Sequence, residues 1–536
     1  MKKISTLKAF KLIFFLLTLS SGQKAFAQLI YQPYSYQLYQ KLNNNIYSPA
    51  TGLHTSIKPL LISETSDIRY GYDSLMGSSI DYKSESWMRR KIFHEHLIEI
   101  KNKEFTFYGD FLPDLILGKG RDLNEKKNTY LNTRGYQLFG TIGSKFFFYT
   151  SGYENQARFT KYEMDYIAKV GMVPGQAYDR TTTSGSKDWA YVTALIGYKP
   201  NKNISIELGE DKTFIGDGYR SMLLSDYAAA YPLLRVTANL SKHVQYMAMW
   251  SYMQDQKAVP FNSFSNNRRK WGAFHYIDWT ITNRASFGFF NALIAEEAND
   301  KGEGHGFDLN YINPIFFSSS LRPSGTIPDH TLFGFNGKYK VLNKTTVYGQ
   351  LLFDQSISPN TNSNKSWQLG FRGFDFLKQK NLNYLFEYNT AGAYTYSNQN
   401  PINSYTQLNE PLAHPYGANF SELLGIVNYS IRKFDFQGKI LYSKYGLDIN
   451  NINYGKNITL SNNVNLPSGI LTNRQGLATT LKFAEGTIAY LINPKYNLRL
   501  EVGAVLRDEQ NVLGDKKTAI LSFGLRSSFR NLYHDF

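Results

Sequence analysis

Five side chains able to grip a polar ligand crowd into one short stretch. They are Asp211, Lys212, Asp217, Tyr219 and Arg220, within GEDKTFIGDGYRSMLLSDYAAAYPLLR, Gly209 to Arg235. Carboxylates accept hydrogen bonds from hydroxyls, ammonium and guanidinium groups pair with acids, and a tyrosine ring offers a stacking face. That mixture suits sugars, so the five are candidate ligand-binding residues, placed near a lumen or its outer mouth. The same charges would equally serve to brace an inward-folded loop through ion pairs. Gly216 and Gly218 permit tight turning or close backbone approach in either case.

Other chemistry is sparse. His94 and His96 stand at i, i+2, where one strand face would carry both, but no third ligand lies near them. They read as wall or interface residues, and no metal or cofactor is expected. The chain contains no phosphate-binding loop, His-Glu-x-x-His, Gly-x-Ser-x-Gly or EF-hand spacing. Its nine histidines form no recognisable Ser-His or Asp-His arrangement for a rim lipase or protease. An enzyme is not expected.

The elements that must position these residues are strands. From Ala519 to Arg530, Leu521, Phe523, Leu525 and Phe529 point one way, while Ser522, Gly524, Arg526, Ser528 and Arg530 point the other. Period-two alternation of apolar and polar residues is what a wall between lipid and a wet lumen requires. Leu498, Leu500, Val502, Ala504 and Leu506 alternate likewise with Arg499, Glu501 and Arg507. So do Val347, Gly349, Leu351 and Phe353 against Tyr348, Gln350 and Asp354, and Phe436, Gly438, Ile440 and Tyr442 against Gln437, Lys439 and Ser443. A terminal Phe536 matches the usual closing signal of an outer-membrane barrel.

Short polar turns recur at 101–103, 143–145, 200–203, 241–243, 282–284, 342–344, 378–381, 432–433 and 493–495. Long polar stretches lie between them, at 155–188, 296–329, 396–422 and 444–474. Short periplasmic turns and long outer loops are the asymmetry of outer-membrane barrels. The pattern predicts an all-β fold: a transmembrane antiparallel up-and-down β-barrel over residues 91–536, of about 18 strands (18–20). Nine hairpins and a closing strand give an odd count, so either a strand near Thr55 to Leu61 brings it to 20 or 18 is right. Residues 28–90 lack alternation and are expected to form a periplasmic or plug segment.

The two ends of the chain and its composition agree with export. Lys2, Lys3, Lys8 and Lys11, then Leu12 to Leu19, then Ala25-Phe26-Ala27 read as a signal peptide over residues 1–27, cleaved before Gln28. Without cysteine there is neither a lipoprotein anchor nor a disulfide framework. Mean hydropathy is −0.38 although 15% of residues are aromatic. A barrel reconciles the two, because only alternate residues meet lipid and aromatic girdles mark both interfaces. The formal charge is +16 and stays positive after the lysine-rich signal is removed. Lipopolysaccharide and acidic polysaccharide are therefore expected partners, and nucleic acid is not.

The Gly209–Arg235 segment resembles the signature of the Wzi-like capsule-assembly family, and more closely that of RemB-like gliding-motility outer-membrane proteins of Bacteroidetes. Trp87 to Ile100 (WMRRKIFHEHLIEI) and Asn132 to Arg158 resemble early strands of that family. Asn313 to Asp329 and Tyr394 to Phe420 (YTYSNQNPINSYTQLNEPLAHPYGANF) resemble its later loops. The resemblance implies a cell-surface barrel that binds or organises capsular polysaccharide without catalysis, takes part in gliding motility, or does both. Gliding-machinery proteins are then further partners. The alternative is a porin-like diffusion channel for small anionic solutes, favoured by the polar lumen face and the positive charge.

Overall fold

A computed structural model describes residues 29–63, 67–78, 82–181, 185–261, 267–304, 306–313, 329–355, 364–463 and 474–536. The expected signal peptide, residues 1–27, lies outside them. Eighteen long antiparallel strands, from Phe105–Asp122 to Gly514–Ser527, close into one barrel. Each pairs with its sequence neighbour, and Gly514–Ser527 closes the ring on Phe105–Asp122 with Arg526 opposite Asp114. Closure leaves no open edge, which is what allows a sheet to stand in hydrocarbon. No described helix is long and apolar enough to cross a membrane.

Alternation along the strands follows the expected faces. On Leu498–Asn511 the inward Arg499, Glu501 and Arg507 are buried, while the outward Leu500, Val502 and Leu506 are exposed on the bare barrel. Phe434–Leu447 and Thr345–Asp354 repeat the pattern, with Lys439 and Gln350 inside and Ile440 and Val347 outside. All nine expected short turns join paired strands. The nineteenth run is Ile98–Lys101, which pairs only with residues 106–109 at the foot of Phe105–Asp122. Eighteen is therefore the closing number.

Three expectations need correction. The last strand ends at Ser527, not Arg530, and residues 528–536 turn into the lumen. Phe529, assigned above to the lipid face, is buried against Leu38, Leu42 and Phe374, and Phe536 packs on Tyr162 and Tyr166. Trp87 to Ile100 is not an early strand. Trp87–Phe93 is a helix followed by the short Ile98–Lys101, because its apolar pairs repeat at helical rather than strand spacing. Ile57–Lys58 and Leu60–Ile62 are strands, but they pair with Phe214–Ile215 and Ile30–Gln32 instead of joining the wall.

The N-terminal residues lie inside the cylinder. Arg372 Nη2 donates to Asn43 Oδ1 at 2.7 Å and Asn383 Nδ2 to the Gln40 carbonyl at 2.8 Å. Lys340 Nζ donates to the Ser48 and Thr51 carbonyls at 2.8 and 2.6 Å. These bonds satisfy inward polar groups of the wall that would otherwise need water.

Val502 is the centre of the outward run Leu498–Leu506. Val502→Arg should therefore cost roughly 2–4 kcal/mol in denaturant unfolding of vesicle-embedded protein, the price of a cation at mid-bilayer. Thr487→Arg on the inner face of the adjoining strand should cost clearly less. Equal losses would mean the two faces are misassigned.

Candidate functional site

Strand Ile204–Asp211 delivers the chain into the lumen, and strand Tyr231–Asn239 collects it again. Between them residues 212–230 form a compact inward loop. Phe214–Ile215 pairs with the plug, and Ile215 also bridges to Leu224. Ser221 Oγ donates to the Ile215 carbonyl at 2.6 Å and accepts from the Leu223 and Leu224 amides, closing the turn. Gly216 has φ +144°, and a Cβ there would lie 2.4 Å from Gln350 Nε2. A Cβ on Gly218 would lie 2.3 Å from Glu387 Oε1. Glycine at these positions lets the loop reach the wall.

The five candidate residues share this loop or its entrance but not one cluster. Asp211, partly buried, accepts from the Tyr31 hydroxyl of the plug. Lys212 Nζ donates to the Gly175 and Asp226 carbonyls at 2.5 and 3.0 Å. Asp217 is wholly buried, with Lys338 Nζ at 3.0 Å, the Tyr47 hydroxyl at 3.2 Å and Asn336 Nδ2 at 3.3 Å. Burial alone would raise its pKa. The ammonium groups of Lys338 and Lys58 outweigh that and hold its carboxyl at about 2.

Arg220, at 1% exposure, reaches Glu422 Oε1 and Asp535 Oδ2, both at 3.2 Å. Its backbone amide and that of Tyr219 donate to the Glu387 carboxylate, at 3.3 and 2.6 Å. Tyr219 stacks under the Arg220 guanidinium, 5.0 Å from ring centre to Cζ, and meets Tyr36 edge-on. Asp535 also takes Lys439 Nζ at 2.9 Å, and burial is overcome by Arg220 and Lys439 so that its carboxyl stays far below the usual range. The ring of Tyr219 is covered on its faces, and its hydroxyl lies 3.5 Å from Asp535 and 3.4 Å from Lys439.

Two further segments complete the filling. Residues 392–419, including PLAHPYGAN, fold inward: the Tyr396 and Tyr405 hydroxyls donate to the Met222 and Leu223 carbonyls, each at 2.8 Å. His414 bonds Glu422, and Glu410 accepts from the Gly175 and Ala229 amides at 2.7 and 3.0 Å. Burial of Glu410 raises its carboxyl to about 7. The C-terminal tail runs inside along the wall that neighbours the last strand. Arg530 touches Asp114, Thr133, Asn155 and Tyr191 on four successive strands, and the Tyr533 hydroxyl reaches Asp226 at 2.7 Å. A cavity of about 220 Å³ remains between plug, tail and wall, edged by Gln37, Thr129, Gln437, Thr487 and Ser522.

Sequence reasoning found the loop residues and missed most of their partners. Lys338, Glu387, Glu422 and Asp535 lie far away in sequence, and only inward alternation marks the first three. His94 and His96 separate: His94 Nε2 is 3.3 Å from Glu85 and its ring stacks on Tyr82, whereas His96 Nδ1 is 2.7 Å from Asp110.

No family model matches the chain, and no curated protein does. Among solved structures, it is similar to Wzi, an outer-membrane protein involved in group 1 capsule assembly in Escherichia coli and a carbohydrate-binding β-barrel. The TM-score is 0.55 at 14% identity, over 92% of this chain and 99% of that one. Pseudomonas aeruginosa OprD gives a TM-score of 0.40 at 8% identity, over 78% of this chain and 94% of its own. Acinetobacter baumannii OccAB2 gives 0.43 at 9%, over 78% and 97%. The chain has the fold of an outer-membrane barrel, and the outer membrane is its location.

Asp535→Ala should lower unfolding stability by roughly 3–5 kcal/mol, because it removes the buried acid shared by Arg220 and Lys439 and leaves each with a single carboxylate partner, Glu422 and Glu485. Denaturant titration of the detergent-refolded barrel measures this, and a change below about 1 kcal/mol would place the tail in water instead.

The contribution of Asp217 has a definite pH window. Its carboxyl is depressed from 3.8 to about 2, so its contribution is complete above pH of about 4 and is lost as pH falls towards 2. Unfolding midpoints of wild type and Asp217→Asn should converge over that window. A gap that does not narrow there removes the ion pair as the source of stability.

Proposed function

We propose that this chain is a plugged outer-membrane barrel that binds surface polysaccharide by contact, not catalysis. The observation that carries this reading is the filled lumen. Asp217, Arg220, Glu422 and Asp535 are at most 1% exposed and tie loop, tail and wall together across the axis. A diffusion channel needs a continuous wet path, so the filling weighs against the porin alternative. The carbohydrate-binding Wzi barrel, similar in fold over nearly the whole chain, supports a saccharide as the ligand.

In this reading Asp211, Lys212, Asp217, Tyr219 and Arg220 are positioning residues. Their charged groups are paired or hydrogen-bonded within the protein, so they hold the bed from which the outer loops meet the polymer. Partnership with gliding machinery is the further-reaching part of the proposal. It rests on the sequence resemblance, and a deletion strain scored separately for capsule retention and for spreading on agar addresses it.

Intact purified protein should bind surface glycans on an array and give no stable conductance in a planar bilayer. Arg220→Ala should weaken glycan binding only in step with its loss of thermal stability. A steady open conductance with no glycan binding would reverse the ranking and favour the channel.

A further inference from the structure

The outer wall differs around its circumference. On the arc from Val244–Asp255 to Leu382–Ala391 the outward side chains include many rings, among them Trp250, Trp271, Phe333, Trp367 and Tyr388. On the arc from Phe434–Leu447 round to Phe105–Asp122 they are apolar low on the wall and mostly cationic above.

Strand register fixes the rows. Ile488, Val502, Phe523 and Leu117 form one outward row across four strands, and Gly486, Ala504, Leu521 and Lys119 the next. Above them come Ala484, Leu506, Ala519, Arg121 and Lys126, then Lys482, Asp508 and Lys517. The outward run Phe107 to Leu117 rises roughly 25 Å along the membrane normal at ordinary strand rise and tilt, the height of a lipid-facing band. Lys119 and Arg121 follow directly, so this cluster stands at the level of the outer headgroups.

A groove of about 410 Å³ opens here, with Ala484, Leu506 and Ala519 on its floor and Arg121, Lys482 and Lys517 around it. Small side chains make the floor shallow enough for an acyl chain. Among the described residues Arg121 and Lys482 make no salt bridge, and Lys517 has only a loose 3.7 Å contact with the exposed Asp515. Asp508, between Lys482 and Lys517, accepts from Gln510 at 2.9 Å. Cations outnumber acids, and they face the leaflet whose headgroups carry phosphate.

We propose that this groove binds a phosphate-bearing glycolipid of the outer leaflet, of lipid A type. An acyl chain lies on the Ala484–Leu506–Ala519 floor, and a headgroup phosphate sits among Arg121, Lys482 and Lys517. Arg supplies a planar fork for two phosphate oxygens, and the lysines supply point charge. The site does not depend on the polysaccharide reading, since it faces the bilayer and not the outer loops.

Native mass spectrometry in mild detergent tests it, with phosphate-bearing lipid A and phosphate-stripped lipid A as probes. Wild type should retain the first about tenfold better, the worth of one charge-assisted contact. Arg121→Gln/Lys482→Gln/Lys517→Gln should lose that preference, while Arg269→Gln/Lys365→Gln on the aromatic arc keeps it. Ala519→Trp, which fills the floor and leaves the charges, should lower occupancy by both lipids. Folding of every variant is checked by its heat-modifiable mobility. Equal retention of the two lipids by wild type, a preference that survives in the triple variant, or an equal fall in the control pair would overturn the site.

Discussion

A charge enclosed by a closed cylinder has to find an opposite charge, or polar groups to bond, inside that cylinder, and the rest of this structure depends on that requirement. The inner wall carries Lys338, Glu422 and Lys439, each at most 7% exposed. Left alone, each would cost several kcal/mol of lost hydration. The loop at 212–230 and the C-terminal tail bring Asp217, Arg220 and Asp535 to meet them. Filling and neutralising the lumen are one event. The partners are distant in sequence, as Arg220 and Asp535 are separated by 315 residues. Such a pair forms only after the middle and the end of the chain share one ring.

The same logic explains why the barrel tolerates so polar an interior without being an open pore. Each of four filling segments, namely residues 29–63, 212–230, 392–419 and 528–536, contacts another of them as well as the wall. Tyr31 meets Asp211, Tyr47 meets Asp217, Tyr405 meets Leu223 and Tyr533 meets Asp226. Tyrosine recurs because its ring fills space while its hydroxyl satisfies a buried acceptor. The high aromatic content of the sequence thus serves the lumen as much as the lipid interfaces.

Much of the wall was legible in the sequence because period two is forced on any strand with lipid on one side. Leu498 to Leu506 and Phe436 to Tyr442 needed nothing else. The tail was not legible, because alternation runs on through Phe529 while pairing does not. Pairing with Phe105–Asp122 stops at Arg526 opposite Asp114, Ile98–Lys101 takes that edge only lower down, at residues 106–109, and the chain beyond Ser527 turns inward. Where a strand leaves its partner is recorded by no pattern of side chains. The five loop residues were visible for a related reason in reverse: charge and glycine are locally dense there, whereas each of their partners is a single inward residue on an ordinary-looking strand.

Ion pairing in the inner network bears on how a surface ligand would be held. Asp217 is paired with Lys338, and Arg220 with Glu422 and Asp535, so moving either towards a ligand would first break a buried ion pair at a cost of several kcal/mol. Loops anchored on such a bed arrive at a ligand already ordered, and a weak, repetitive ligand such as a polymer then does not have to supply the ordering entropy. Arg121 and Lys482, which make no salt bridge among the described residues, are on the outside of the wall. Inner charge gives rigidity and outer charge gives contact, and the alternation of one strand, with Asp122 inside beside Arg121 outside, separates the two tasks by a single residue.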